Sequence, residues 1–306
     1  MSIELIPDLK KYPHIYGAHK NEELIIFVGA GISALWGCKR WKDMSSSLID
    51  ACYERGSIDY WARETLLAKY SNAPRKLITI AKGLLENTYL DELKKTLQIS
   101  PERKAKLPNL LNNLFSLQAV FFTTNIDNNF TQMFDKTNVY SEPDKFKTTG
   151  LKSKTLIHLH GIIDQPESLV MTIDEYLSRY QNDDFRSFLE DIFFDEQYCF
   201  LFIGYGVDEM EIIDFMIQKY SKGSKTLRSF IHRFYVLLPF FYNEEPLYKY
   251  EQMYFDQINM SVIPYAINSR GYEQIDEVLA VWRKAFEDRG TGDDFYEFNQ
   301  LIEKNL

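Results

Sequence analysis

The run Leu24-Ile25-Ile26-Phe27-Val28 leads without a break into Gly29-Ala30-Gly31-Ile32-Ser33. A strand with one wet face alternates apolar and polar residues, whereas consecutive apolar residues need cover on both faces. That need selects a parallel sheet with helices on either side. A glycine turn that passes at once from strand to helix is also how a dinucleotide-binding unit opens. Similar runs recur at Ala119-Val120-Phe121-Phe122 and from Cys199 to Ile203, with helix-period segments between them. The expected fold class is therefore α/β, a doubly wound Rossmann-like parallel sheet with an inserted helical module.

Strands are expected at 24–28, 118–123, 139–140, 155–159, 199–203, 234–238 and 260–264. Helices are expected at 42–53, 60–70, 128–135, 174–180, 184–194, 209–220, 275–286 and 295–304. The block 43–112 is long for one crossover, and prolines interrupt it at Asn72-Ala73-Pro74 and Ser100-Pro101. We read it as a helical module inserted into a single domain, 1–306. Segments 20–42 and 115–270 form the Rossmann-like core, and 272–306 forms closing helices.

Composition narrows the function classes. With 45% hydrophobic residues in 306, the chain can bury a large core and is not a disordered one. A net charge of −9 argues against direct nucleic-acid binding by charge alone. Cys38, Cys52 and Cys199 form no C-x-x-C pair, so neither a metal site nor a disulfide framework is expected. Residues 1–17 lack a charged segment followed by an apolar one, and no apolar run approaches the ~18 residues of a membrane span. The expectation is a cytoplasmic chain without a membrane partner.

The chemistry-bearing residues fall at strand ends. Thr123-Thr124-Asn125-Ile126-Asp127 follows the second apolar run, and His160-Gly161 follows the strand at 155–159. In an open α/β sheet the carboxyl edge is where ligands bind. Asn125 and Asp127 suit ligand contact, although Asn and Asp also close loops on their own backbone. His158 and His160 share a strand face by the period of two. His160 precedes a glycine and is the candidate base, leaving His158 as a structural partner. Gly29 and Gly31 would let backbone approach a pyrophosphate, but a tight strand–helix turn needs glycine anyway. Ala34 takes the third place of G-x-G-x-x-G. Ser33 either binds phosphate or caps the helix. Lys145, Lys147, Lys152 and Lys154 read as a solvated loop, and the aromatics at 230–255 as core and interface.

Together these motifs resemble the Sir2 family. Gly29-Ala30-Gly31-Ile32-Ser33 matches its G-A-G-I-S, Thr123 to Asp127 is similar to its T-Q-N-I-D, and His160-Gly161 matches its H-G. Gly204-Tyr205-Gly206 stands where a late glycine turn of the family contacts the cofactor. The chain departs from the deacylase branch in having Ala34 to Trp41 where that branch carries a loop ending in D-F-R, and in lacking two zinc-binding C-x-x-C pairs. With Gly37, Trp41 and the stretch Asp174-Glu175-Tyr176 with Tyr180, it is more similar to Sir2-like effectors of bacterial anti-phage systems. Their acid after the late turn corresponds to either Asp208 or Glu209.

The resemblance implies NAD as substrate, cleaved to nicotinamide and ADP-ribose, with no metal. It assigns Asn125 and His160 to catalysis. NAD binding falls to Gly29, Ala30, Gly31, Ser33, Thr124, Asp127, Gly204 and Tyr205. Asn125 would orient the ribose or the attacking water, Asp127 would fix the ribose or carboxamide, and His160 would accept a proton. Two alternatives stay open: an NAD-dependent protein deacylase, and a non-catalytic module that binds an ADP-ribose-type ligand. An unrestrained NADase would exhaust its cell, so the expected partners are further copies of the chain, a separate sensor protein, or both. The module at 43–112 and the segment 230–255 are the expected contact surfaces.

Overall fold

The computed structural model describes residues 3–149, 151–194, 197–205 and 233–287. Its centre is a seven-stranded sheet in the order β3-β4-β2-β1-β5-β6-β7. The strands are β1 (Leu24–Val28), β2 (Val120–Thr123), β3 (Val139–Tyr140), β4 (Leu156–His158), β5 (Cys199–Ile203), β6 (Phe234–Phe240) and β7 (Met260–Ala266). Every pairing is parallel.

The apolar runs do what their pattern requires. Leu24, Ile26 and Val28 of β1 join one core cluster, while Ile25 and Phe27 join the other. The first face is covered by α1 (Pro13–Lys20), by α8 (Leu110–Phe115) and by α12 (Gln274–Glu287), which brings Trp282. The second is covered by α10 (Asp183–Phe194) and α11 (Glu245–Asp256). Each wholly buried Leu, Ile or Phe of these layers contributes ~1.5–3 kcal/mol. The two-faced sheet is therefore where the fold's stability concentrates.

Between β1 and β2 run α2 (Ala30–Leu35), α3 (Trp41–Glu54), α4 (Tyr60–Tyr70), α5 (Pro74–Leu85), α6 (Tyr89–Thr96), α7 (Pro101–Lys106) and then α8. Helices α3, α5 and α6 enclose a third core of Leu48, Ile49, Cys52, Leu77, Ile78 and Leu93. Ile126, Ile163, Leu169 and Met171, which flank the candidate site residues, belong to this third core. The helices of the first crossover thus form a wall of the site.

Three expectations change. The helix expected at 128–135 is only a 3-10 turn, Thr131–Met133. The Asp127 carboxylate accepts from the Asn129 amide at 3.0 Å, a local bond that competes with helix formation. A helix absent from the reading, α11, lies between β6 and β7, with Pro246 in its first turn and Tyr248 and Phe255 facing inward. Helix α1, ahead of β1, is likewise absent from the reading and is also opened by a proline. The helices expected at 209–220 and 295–304 lie outside the described residues, as do Gly206, Asp208 and Glu209. Among the described residues, no helix is long and apolar enough to cross a membrane.

Candidate active site

The chain leaves β1 toward β2 and leaves β5 toward β6, so β1 and β5 flank the point where the winding reverses. There the turns at Gly29 and Gly204 meet. Gly29 N–H donates to Ile203 O at 2.9 Å, and Gly31 N–H donates to Gly204 O at 2.8 Å. A Cβ at Gly29 would stand 2.7 Å from Tyr205 Cα, and one at Gly31 would stand 2.7 Å from Gly204 O. Gly204 adopts φ +66°, and a Cβ there would meet Ile32 N at 2.9 Å. The glycines are thus required by contact of one turn with the other. Ile32 N–H returns to Gly29 O, so two of the first donors of α2 are used within the protein. The Tyr205 ring is buried against Phe202 in the sheet core.

Beside this junction, the end of β2 delivers Asn125. Its backbone N–H donates to Thr123 Oγ1 at 3.0 Å, and the Thr123 hydroxyl donates to Val28 O at 2.7 Å. Its side-chain NH2 donates to Gly29 O and to Ser33 Oγ, both at 3.1 Å. Ser33 in turn donates its hydroxyl to Asp127 Oδ2 at 2.6 Å. Since the Ser33 hydrogen is committed to Asp127, Ser33 can only accept from Asn125. Gly29 O is an acceptor too. The amide orientation of Asn125 is therefore determined: nitrogen inward, oxygen elsewhere. Its Oδ1 is buried without a hydrogen-bond partner among the described residues, and so is Thr124 Oγ1. Buried polar atoms are nearly always paired, so two orphans on consecutive residues mark a place for a polar ligand.

Asp127 itself is fully engaged. Oδ1 accepts from Asn129 N at 3.0 Å and Asn129 Nδ2 at 2.7 Å, and Oδ2 accepts from Ser33. It acts here as the anchor that holds Ser33, and through Ser33 the amide of Asn125.

Ala30, Ser33, Thr124, Asn125 and Asp127 line one narrow cleft of about 20 Å³. Its other walls are Cys38, Lys39, Trp41, Met44, Leu97, Ile126 and Met171. Burial, followed by the charge of Asp127, pushes the Cys38 thiol up to about 12, so it is a neutral wall and no nucleophile. The sequence reading had no signal for Cys38 or Met171.

His160 is placed differently. Thr123 pairs with His158 across β2 and β4, so Asn125 and His160 leave neighbouring strands at the same edge. Yet His160 is 2% exposed and does not line the cleft. Its Nε2 lies 3.1 Å from the hydroxyl of Tyr180 on α9 (Ile173–Gln181). Burial, then the nearby guanidinium groups of Arg75 and Arg179, lower its pKa to about 3. The ring is neutral at pH 7, a hydrogen-bonding group more than a proton store. Arg179 is pinned by Leu159 O at 2.9 Å and Ser168 O at 2.8 Å, and Arg75 lies 4.0 Å over the Tyr176 ring. Neither arginine was foreseen, because both reach His160 from distant helices. Gly161, at φ +76°, makes room for the Ser168 carbonyl and not for a ligand.

The fold and this edge define a Rossmann-like α/β domain with an amide-hydroxyl-carboxylate cluster at the carboxyl ends of its strands. The model of one family, described as SIR2-like domain, matches residues 119–262. That span, a little under half of the chain, is similar to this family and contains Asn125, Asp127 and His160. The Gly29–Ser33 turn precedes the matched span and joins it through the bonds of Asn125 and Ser33. No curated protein matches the chain significantly.

Proposed function

We propose that this protein is an NAD+ hydrolase that releases nicotinamide and ADP-ribose. The observation that carries the reading is Asn125, clamped through its NH2 with Oδ1 left as a buried acceptor beside the cleft. In this reaction the bond from ribose C1′ to the nicotinamide nitrogen breaks, and its electrons return to the ring. A water oxygen bonds to C1′ and one proton is released. The leaving group is a cation becoming neutral, so the enzyme needs positioning and a dipole near the developing positive charge more than acid catalysis. Asn125 Oδ1 supplies both: it accepts a hydrogen from the water, turning a lone pair toward C1′, and its partial negative charge favours the oxocarbenium-like state. Asp127 acts through Ser33 to hold that amide. His160, neutral and braced by Tyr180, lies outside the closed cleft and meets a ribose hydroxyl only once the cleft opens. Thr124 Oγ1 offers a further contact.

The resemblance to anti-phage effectors supports NAD depletion as the use of this activity, gated by a separate sensor protein or by assembly of copies. Exposed large apolar side chains support the two contact surfaces. Tyr60 and Trp61 stand out on α4, with Trp61 76% exposed, and Leu247, Tyr250 and Met253 stand out on α11.

The test is incubation with NAD+, with and without the products of neighbouring genes, while nicotinamide and ADP-ribose are measured. Asn125→Ala should lower turnover at least ~100-fold, as loss of an oriented catalytic dipole does, with an unchanged circular dichroism spectrum. Undiminished turnover in that variant would sink the assignment. Formation of O-acyl-ADP-ribose from an acylated peptide would move the chain to the deacylase branch.

A further inference from the structure

His158 takes no part in the chemistry above, yet it is buried and bonded at both ring nitrogens. Nδ1 lies 3.0 Å from the backbone O of Asn125, and Nε2 lies 2.9 Å from Thr131 Oγ1. A carbonyl oxygen can only accept, so Nδ1 carries the hydrogen. Burial disfavours the charged ring, and desolvation is the largest influence on its pKa, which is lowered. Nε2 of the neutral ring is then an acceptor, and the Thr131 hydroxyl must donate to it. The order of donation is fixed as Thr131 O–H to Nε2, then Nδ1–H to the Asn125 carbonyl.

We infer that His158, oriented by Thr131, is a positioning residue that sets the peptide plane of Asn125 and so aims its side chain. The count of hydrogen-bonding groups on Asn125 supports this. Its N–H is held by Thr123, its C=O by His158, and its NH2 by Gly29 and Ser33. Of all its polar atoms only Oδ1 is without a partner. Three of these holds come from the β1–β2 side. His158 alone comes from β4, so it is the bond that stops the Asn125 peptide from rotating away from that side. The 3-10 turn at Thr131–Met133, in place of the expected helix, is what brings the threonine to the ring. The inference rests on the reading of Asn125 as the group that meets water or ribose.

The test compares His158→Phe, His158→Gln and Thr131→Val in the full chain. Phenylalanine keeps a ring but neither bond. The glutamine amide can donate to the Asn125 carbonyl and accept from Thr131, so it can restore both. His158→Phe should lower kcat by about 10- to 100-fold, the scale of a small misplacement of a catalytic group, with KM for NAD+ nearly unchanged. His158→Gln should recover most of that loss, and Thr131→Val should fall between. A purely structural role would lower thermal stability in step with activity and show no rescue. If wild-type chain does not cleave NAD+, nitrogen-15 spectra still decide. The Nδ1–H tautomer of His158, with an Asn125 side-chain amide signal shifted in His158→Phe and restored in His158→Gln, sustains the inference without the activity. An Nε2–H tautomer, or full kcat in His158→Phe, overturns it.

Discussion

His160 differs from the other polar residues of the edge because its surroundings oppose its charge. Its ordinary value near 6.5 is reduced to about 3, by burial first and then by Arg75 and Arg179. Between these values the unfolded chain binds the proton and the folded chain does not. The neutral ring's contribution to stability is thus complete above pH ~6.5 and is lost as pH falls toward 3, at up to ~1.4 kcal/mol per pH unit. His158, lowered in the same direction, adds to the slope. Urea midpoints should therefore fall from pH 7.5 to pH 5, and His160→Gln should make that fall shallower. An equal slope in the variant would show that His160 is not held neutral. The position of His160 was legible, since an imidazole and a glycine closed an apolar strand. Its environment was not, because Arg75 and Arg179 belong to other elements of the chain and only the fold brings their charges near the ring. The same holds for Asn125: the motif placed it at the edge, but Ser33 and Gly29, which orient its amide, lie more than 90 positions away.

The glycine turns teach a different lesson about elements. Gly29-Ala30-Gly31 was legible as a strand–helix turn and was expected to admit a pyrophosphate. In the fold the turn abuts the Gly204 turn, and each glycine is set by the other's backbone. Gly31→Ala should therefore destabilise by about 1–3 kcal/mol, the usual cost of overpacking, and Gly204→Ala by more, since φ +66° adds left-handed strain. Gly83 is the internal control. It lies exposed in α5, where a Cβ would meet nothing within 4 Å. Gly83→Ala should stabilise by about 0.5–1 kcal/mol. Denaturant titrations of the three variants check the order, and a neutral Gly31→Ala would mean that the two turns separate at little cost. Strands were the most legible elements because burial on both faces leaves an unbroken apolar run. Helix α11 escaped notice because only Tyr248 and Phe255 of its aromatics face inward, while Tyr250 and Tyr254 face out and blur the period.

The whole molecule sets how the cleft is reached. At about 20 Å³ it lies far below the ~300–1,000 Å³ common for small-molecule sites, and NAD has two bases, two riboses and a pyrophosphate. Binding must widen it. Trp41, Met44, Leu97 and Met171 form part of its apolar wall. Met171 is buried in the core shared with Leu48 and Ile49, so opening pulls apolar surfaces apart. The amide of Ile173 bonded to Thr79 Oγ1 at 3.1 Å, and the pairing of Lys82 with Glu175, tie α5 to the start of α9 and resist the same motion. A chain poised this way gives a partner something to act on, since any protein that binds the open form better raises its population. Met171→Ala separates the closing role from a binding one. Removing that side chain should cost about 2–5 kcal/mol of stability while the open fraction rises, and the apparent affinity for NAD rises with that fraction. KM for NAD+ should then fall with kcat nearly unchanged, in steady-state assays of nicotinamide release. A KM that rises instead would show that Met171 grips the nucleotide, and that the closed cleft is no barrier to it.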